Sequence, residues 1–155
     1  MIKRAFSFLI TWILVFQLVS LIIGYVTRFG MYPWYSQLLK SSITPQGYIF
    51  AIIWPLLYIT LSILGWKLYI KNNNSLLKWY WIGMLLNWLW SPIFFILHLT
   101  SLALSILILL VSINGYILIK LRALYYYNYT YLIILPYFLW LCFALYLNIM
   151  IVLLN

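Results

Sequence analysis

The chain has 155 residues, 68% of them hydrophobic and 21% aromatic, and nine Lys and Arg with no Asp or Glu give it a net charge of +9. This excludes a water-soluble globule, which carries roughly a quarter charged residues, and with a mean hydropathy of +1.12 it describes an integral membrane protein whose length, residues 1–155, allows one domain. Nucleic-acid binding is excluded as well, because the cations stand singly at the ends of apolar runs and form no basic patch on a folded platform.

Five apolar segments, at about 5–27, 47–70, 76–97, 101–121 and 129–154, meet the roughly 20 residues a helix needs to cross a bilayer. The first follows Lys3 and Arg4, is too long for a signal-sequence core and has no small-residue cleavage site after it, so it reads as a retained helix. After it comes RFGMYPWYSQLLKSSITPQ, residues 28–46, the one long connection. Trp34, Tyr35, Leu38 and Leu39 line one side of a short interfacial helix there, and Thr44-Pro45 opens the second segment, where proline is tolerated in a first turn. The later links, KNNNS (71–75), HLT (98–100) and RALYYYN (122–128), are short and force antiparallel neighbours. Lys3, Arg4, Lys67, Lys71, Lys78, Lys120 and Arg122 fall on one side, and Arg28 and Lys40 on the other. The positive-inside rule then predicts a cytoplasmic amino terminus, with the first loop and carboxyl terminus outside, in a bacterial cytoplasmic membrane.

Residues spaced i, i+3, i+4 and i+7 share a helix face. In the third segment this groups Asn87, Trp90, Ser91 and Phe94, and sets Trp88, Pro92 and Phe95 apart. In the fifth it groups Trp140, Phe143, Ala144, Leu147 and Asn148; in the second, Gly47, Phe50, Ala51, Trp54, Tyr58, Leu61, Ser62 and Gly65. Such mixed stripes suit either a ligand pocket or ordinary packing, since small and polar residues join helices in lipid. The stripe Ser101, Ser105, Ser112, Gly115 and the pair Ser20 and Gly24 read as packing. Trp12, Trp79, Tyr80, Trp81 and the YYYNY cluster at 125–129 suit membrane interfaces.

Without carboxylates there is no acid–base pair and no acidic proton or ion relay. One His and one Cys build no metal site, so no metal is expected. Cys142 reads as a small buried hydrophobe and His98 as a hydrated turn residue.

Three blocks carry a family resemblance: WYSQLLKSSITPQGYIFAIIWPLLY (34–58), LLNWLWSPIFFILHLTSLAL (85–104) and PYFLWLCFALYLNIMIVLLN (136–155). Together with five helices and a long first loop they resemble the translocator protein / tryptophan-rich sensory protein (TspO/MBR) family. The chain departs from the family pattern at Ser41, Ile43 and Gln46, and at Ala51-Ile52 before Trp54. A carboxyl-terminal sterol motif needs a Lys or Arg that does not follow Arg122 here.

The resemblance implies an all-α bundle of five transmembrane helices whose long first loop, with a short interfacial helix, covers a pocket. It implies porphyrin and similar hydrophobic ligands, no required cofactor, and a homodimer. The pocket residues it implies, together with those on the matching stripes, are Trp54, Tyr58, Asn87, Trp90, Phe94, Trp140, Phe143, Ala144 and Leu147, with Trp34, Arg28 and Lys40 at the mouth. Arg28 and Lys40 suit either headgroup anchors or partners for porphyrin propionates. The expected function is tetrapyrrole binding as sensor, regulator or carrier. The alternatives are a light- and oxygen-dependent porphyrin-degrading enzyme, in which Trp54 and Trp140 donate electrons, and a membrane scaffold for a protein partner.

Overall fold

The computed structural model describes residues 2–124 and 129–155, with side chains from residue 8 onward. The aromatic stretch 125–128 and the side chains of Lys3 and Arg4 lie outside the described residues. Six helices make up the described chain: α1 (Ile2–Met31), α2 (Trp34–Gln37), α3 (Gly47–Ile70), α4 (Asn74–Phe95), α5 (Thr100–Ala123) and α6 (Tyr131–Leu154). Four of them, α1 over Phe8–Met31, α3, α5 and α6, are long and apolar enough to cross a membrane. α4 is of similar length, but Lys78, Asn87 and four tryptophans make it less apolar.

Local chemistry explains the helix ends. α1 runs past the expected boundary at Thr27 through Arg28 to Met31, because nothing breaks a helix before Pro33, which disfavours helical geometry at Tyr32. The α3–α4 turn is built by consecutive asparagines. Asn72 takes a left-handed backbone with φ 52, which Asn tolerates better than most residues, and the Asn73 side chain accepts the Leu76 N–H at 3.1 Å as the cap of α4. That cap starts α4 at Asn74, two residues before the expected 76.

The five long helices pack in a ring, α1 against α3, α3 against α6, α6 against α5, α5 against α4 and α4 against α1, with α3 and α4 also touching across it. The centre is filled by Leu57, Leu61, Leu64 and Leu68 of α3, Tyr80 and Met84 of α4, Leu107, Leu110 and Ile117 of α5, and Ile134, Tyr137 and Leu141 of α6. Lipid is as apolar as these side chains, so close packing and interhelical hydrogen bonds hold such a bundle, not the hydrophobic effect. Two glycines permit the closest approaches. Gly65 makes room for the Trp12 and Tyr80 rings, and a Cβ on Gly30 would collide with the Phe95 carbonyl and Ile96 Cα at the end of α4. The serine stripe of α5 behaves otherwise than expected: Ser101, Ser105 and Ser112 are exposed, and the last two donate to carbonyls of their own helix. Gly115 of that stripe meets another helix, at the Phe138 ring of α6.

The Gly30 contact is with backbone, which cannot turn aside as a side chain does. Gly30→Ala is expected to destabilise the folded protein by about 1–3 kcal/mol, the cost of overpacking. Gly24→Ala, where an added Cβ meets nothing within 4 Å, should leave the thermal midpoint in detergent unchanged or raise it. Equal midpoints for the two variants would refute the close α1–α4 approach.

Candidate functional site

Between α1, α3, α4 and α6, beneath the first loop, lies a cavity of about 670 Å³. Its floor is a hydrogen-bonded chain across three helices. Asn87 Nδ2 of α4 donates to Tyr58 Oη of α3 at 2.9 Å, and Tyr137 Oη of α6 donates to Asn87 Oδ1 at 3.1 Å. Tyr58 accepts in this arrangement, so its own hydroxyl proton remains available to donate. Asn87 is only 4% exposed, and in a bilayer no water would replace a missing partner.

The walls are aromatic. Trp54 stands one turn above Tyr58, with ring centroids 6.0 Å apart, and its Nε1 makes no hydrogen bond among the described residues. Trp90 and Phe94 stack at 5.4 Å on the α4 wall. The Trp90 indole is oriented by its N–H, which donates to Asn148 Oδ1 at 3.3 Å; Asn148 Nδ2 in turn donates to the Thr100 carbonyl at 3.0 Å. Trp90 therefore presents a ring face, and Trp54 lines the cavity with an indole whose N–H makes no hydrogen bond among the described residues. Ala144 and Leu147 complete the α6 wall. Pro55 has no N–H to offer the Ala51 carbonyl, so an acceptor on the cavity wall lacks its usual helical partner.

The roof is the first loop, fastened at several points. The Asn155 side chain pairs with both backbone groups of Leu39, at 2.9 and 3.0 Å, and Ser41 bonds the Tyr146 hydroxyl at 3.0 Å. Trp34 stacks on His98 at 4.0 Å, and His98 Nε2 bonds the Gly30 carbonyl at 2.9 Å. His98 is thus a clasp between the loop and the α4–α5 turn as well as an exposed turn residue. Tyr35 packs edge-on to Phe94 and Phe95 and lines the cavity from above; burial holds its phenol pKa above the ordinary value.

The structure brings Trp54, Tyr58, Asn87, Trp90, Phe94, Ala144 and Leu147 together on the cavity wall, with Arg28 at its edge. Four other expected site residues lie elsewhere. Trp140 stands one ring behind the wall, edge-on to the lining Phe50 at 5.5 Å and packed on Phe143, because α3 and α6 are in contact at that level. Phe143 follows Trp140 off the wall, which on α6 is made by Ala144, Leu147, Asn148 and Ile151. Trp34 is turned to His98, and Lys40 donates to the Leu38 carbonyl and sits 4.8 Å over the Tyr35 ring, outside the cavity. Conversely, Ser20, Gly24 and Thr27 of α1 line the cavity, although Ser20 and Gly24 read as packing residues in the sequence. No cluster of three metal-ligating side chains occurs among the described residues.

Known proteins are similar to this sequence. The chain is 33% identical over 118 residues to the membrane protein YtaB of Bacillus subtilis, covering 74% of this chain and 76% of that one. It is 28% identical over 135 residues to the tryptophan-rich protein TspO of Archaeoglobus fulgidus, covering 85% and 86%. It is 35% identical over 82 residues, about half of each chain, to the protein CrtK of Rhodobacter capsulatus. The pattern of the TspO/MBR family matches residues 12–154, nearly the whole helical bundle, and the chain is an integral membrane protein belonging to that family.

Proposed function

We propose that this protein binds a tetrapyrrole, or a hydrophobic ligand of similar shape, in the cavity beneath the first loop. The observation that carries this reading is the cavity itself: about 670 Å³, walled by Phe50, Trp54, Trp90 and Phe94 over a polar floor. Its volume is within the range of small-molecule sites, and flat rings suit an aromatic slot that has a few fixed polar groups. Tyr58 Oη and Trp54 Nε1 are the donors left for ligand oxygens or ring substituents. Asn87 keeps Tyr58 in place and is a positioning residue. Trp88, its neighbour in sequence, packs on Phe16 of α1 at 5.8 Å and does not line the cavity.

The same reading includes five membrane crossings. α4 has 22 residues, about 33 Å of helix, which matches the hydrocarbon core of a bilayer. An odd number of crossings places the roof and carboxyl terminus on the face opposite the amino terminus, and the cation bias puts the amino terminus in the cytoplasm. A homodimer is proposed from family membership. Bound ligand would serve sensing, regulation or carriage. An enzyme that consumes the ligand in light is the second reading, with Trp54, an oxidisable indole on the cavity wall, as the electron donor.

Titration of the purified protein with protoporphyrin in the dark should shift the porphyrin absorption to a stable new position. Trp54→Phe should weaken binding about fivefold, the loss of one hydrogen bond of about 1 kcal/mol, and Trp140→Phe should leave it unchanged. An unchanged spectrum in the wild type would refute tetrapyrrole binding, and progressive bleaching under illumination would assign the enzyme. For topology, Ser42→Cys and Ser75→Cys in a Cys142→Ser background should differ toward an impermeant thiol reagent added outside intact cells. Labelling at 42 alone is expected, and labelling at 75 alone would reverse the orientation.

A further inference from the structure

The cavity is closed on two sides and open on a third. Its α4 and α6 walls are buried, with Asn87, Phe94, Asn148 and Ile151 all within the packed bundle. Its α1 and α3 walls are exposed in part: Leu21 and Tyr25 are each 66% exposed and the lining residues Gly24, Gly47 and Ala51 are exposed too, while Thr27 and Tyr58 on the same walls are buried. Above, the loop is pinned to α6 and to the α4–α5 turn, so the exposed flank faces sideways.

The α1–α3 seam explains the opening. Away from the loop the two helices are joined tightly, by Trp12 in the notch at Gly65 and by Gln17 Nε2 donating to the Pro55 carbonyl at 2.8 Å. The antiparallel register of those contacts brings Gly24 level with the start of α3. There the seam has parted, because a Cβ built on Gly24 or on Gly47 would meet nothing within 4 Å. Paired glycines commonly mark helices in close contact; here they edge a gap. Arg28, one turn beyond Gly24, is exposed, lines the same cavity and has no partner among the described residues. The chain has no Asp or Glu to supply one.

We propose that the cavity is loaded from the bilayer, through a side opening between α1 and α3, by an amphiphile whose anionic group is guided by Arg28. The apolar flank around Leu21, Tyr25 and Ala51 admits a molecule already dissolved in lipid, and the cation at its rim selects one bearing a carboxylate or similar anion. The ligand part of this proposal rests on the tetrapyrrole reading; the opening itself does not.

Ser91 lies on the α4 wall of the cavity, across from the opening. Ser91→Cys in a Cys142→Ala background, reconstituted in phosphatidylcholine vesicles, is exposed either to a maleimide carried on a lipid acyl chain or to an impermeant maleimide in water. Labelling by the acyl-linked reagent is expected, with loss of that labelling when Gly24→Phe or, as a second plug, Leu21→Trp is added. Ala103→Cys, at a fully buried position, is the unreactive control. Labelling by the aqueous reagent alone, or acyl-linked labelling that survives both plugs, overturns the side opening.

Arg28→Gln tests the guide. It should slow loading of protoporphyrin from preloaded vesicles and leave loading of protoporphyrin dimethyl ester, which lacks the anions, at the wild-type rate. Equal slowing of both, or of neither, overturns the role of Arg28. If the wild type takes up no porphyrin while Ser91→Cys is labelled from the membrane, the tetrapyrrole reading falls and the opening stands.

Discussion

One side-chain amide, that of Asn87, ties α4 to Tyr58 on α3 and to Tyr137 on α6. Interhelical hydrogen bonds in bilayers are individually modest, averaging about 0.6 kcal/mol. An orphaned buried partner costs more, roughly 1–3 kcal/mol, and the bilayer has no water to substitute for it. The amide therefore does more to select one arrangement of three helices than to stabilise the bundle in bulk. Below it the leucine-rich core is closed; above it the helices enclose empty space.

A second amide, Asn148, repeats the device nearer the roof, joining the Trp90 indole to the Thr100 carbonyl. Together the two asparagines set the floor and one wall, and leave the cavity lined by ring faces. Polar groups in this site are either consumed by the protein, as in Asn87 and the Trp90 N–H, or left available, as in Tyr58 and Trp54. That division distinguishes residues that shape the cavity from residues available to a ligand. Electrostatics add a single asymmetric element, Arg28, in a chain without a carboxylate side chain to neutralise it.

The contrast between α1 and the other helices has a physical basis. α4, α5 and α6 each bury a face along their length, and α3 does so from Leu57 onward. α1 is joined to the bundle along its first half, by Trp12, Phe16 and Gln17, and again at Gly30. Between those attachments it bridges the cavity without filling it. A helix fastened along its first half and again at its loop end, with exposed residues such as Leu21, Gly24 and Tyr25 between, makes a side opening compatible with a stable fold.

Composition and run length alone determined that this is a helical membrane protein, because uninterrupted apolar runs of this length match a spanning helix, which satisfies its own backbone in lipid, and exceed a barrel strand. Helical periodicity set Asn87 and Trp90 on one face and Trp88 on another, since a rotation of about 100° per residue is a property of the helix and needs no neighbours. The position of Trp140 could not be read that way. It shares a stripe with Ala144 and Leu147, and only the Phe50 ring of α3, interposed between it and the cavity, takes it off the wall. Trp34 and Lys40 were likewise indeterminate, because their partners His98, Leu38 and Tyr35 are chosen by how the loop folds back. The contribution of α1 was the least legible: Ser20 and Gly24 carry the signature of close packing, and whether a glycine meets a neighbouring helix or borders a gap depends on the distance between two helices, which only the tertiary structure decides.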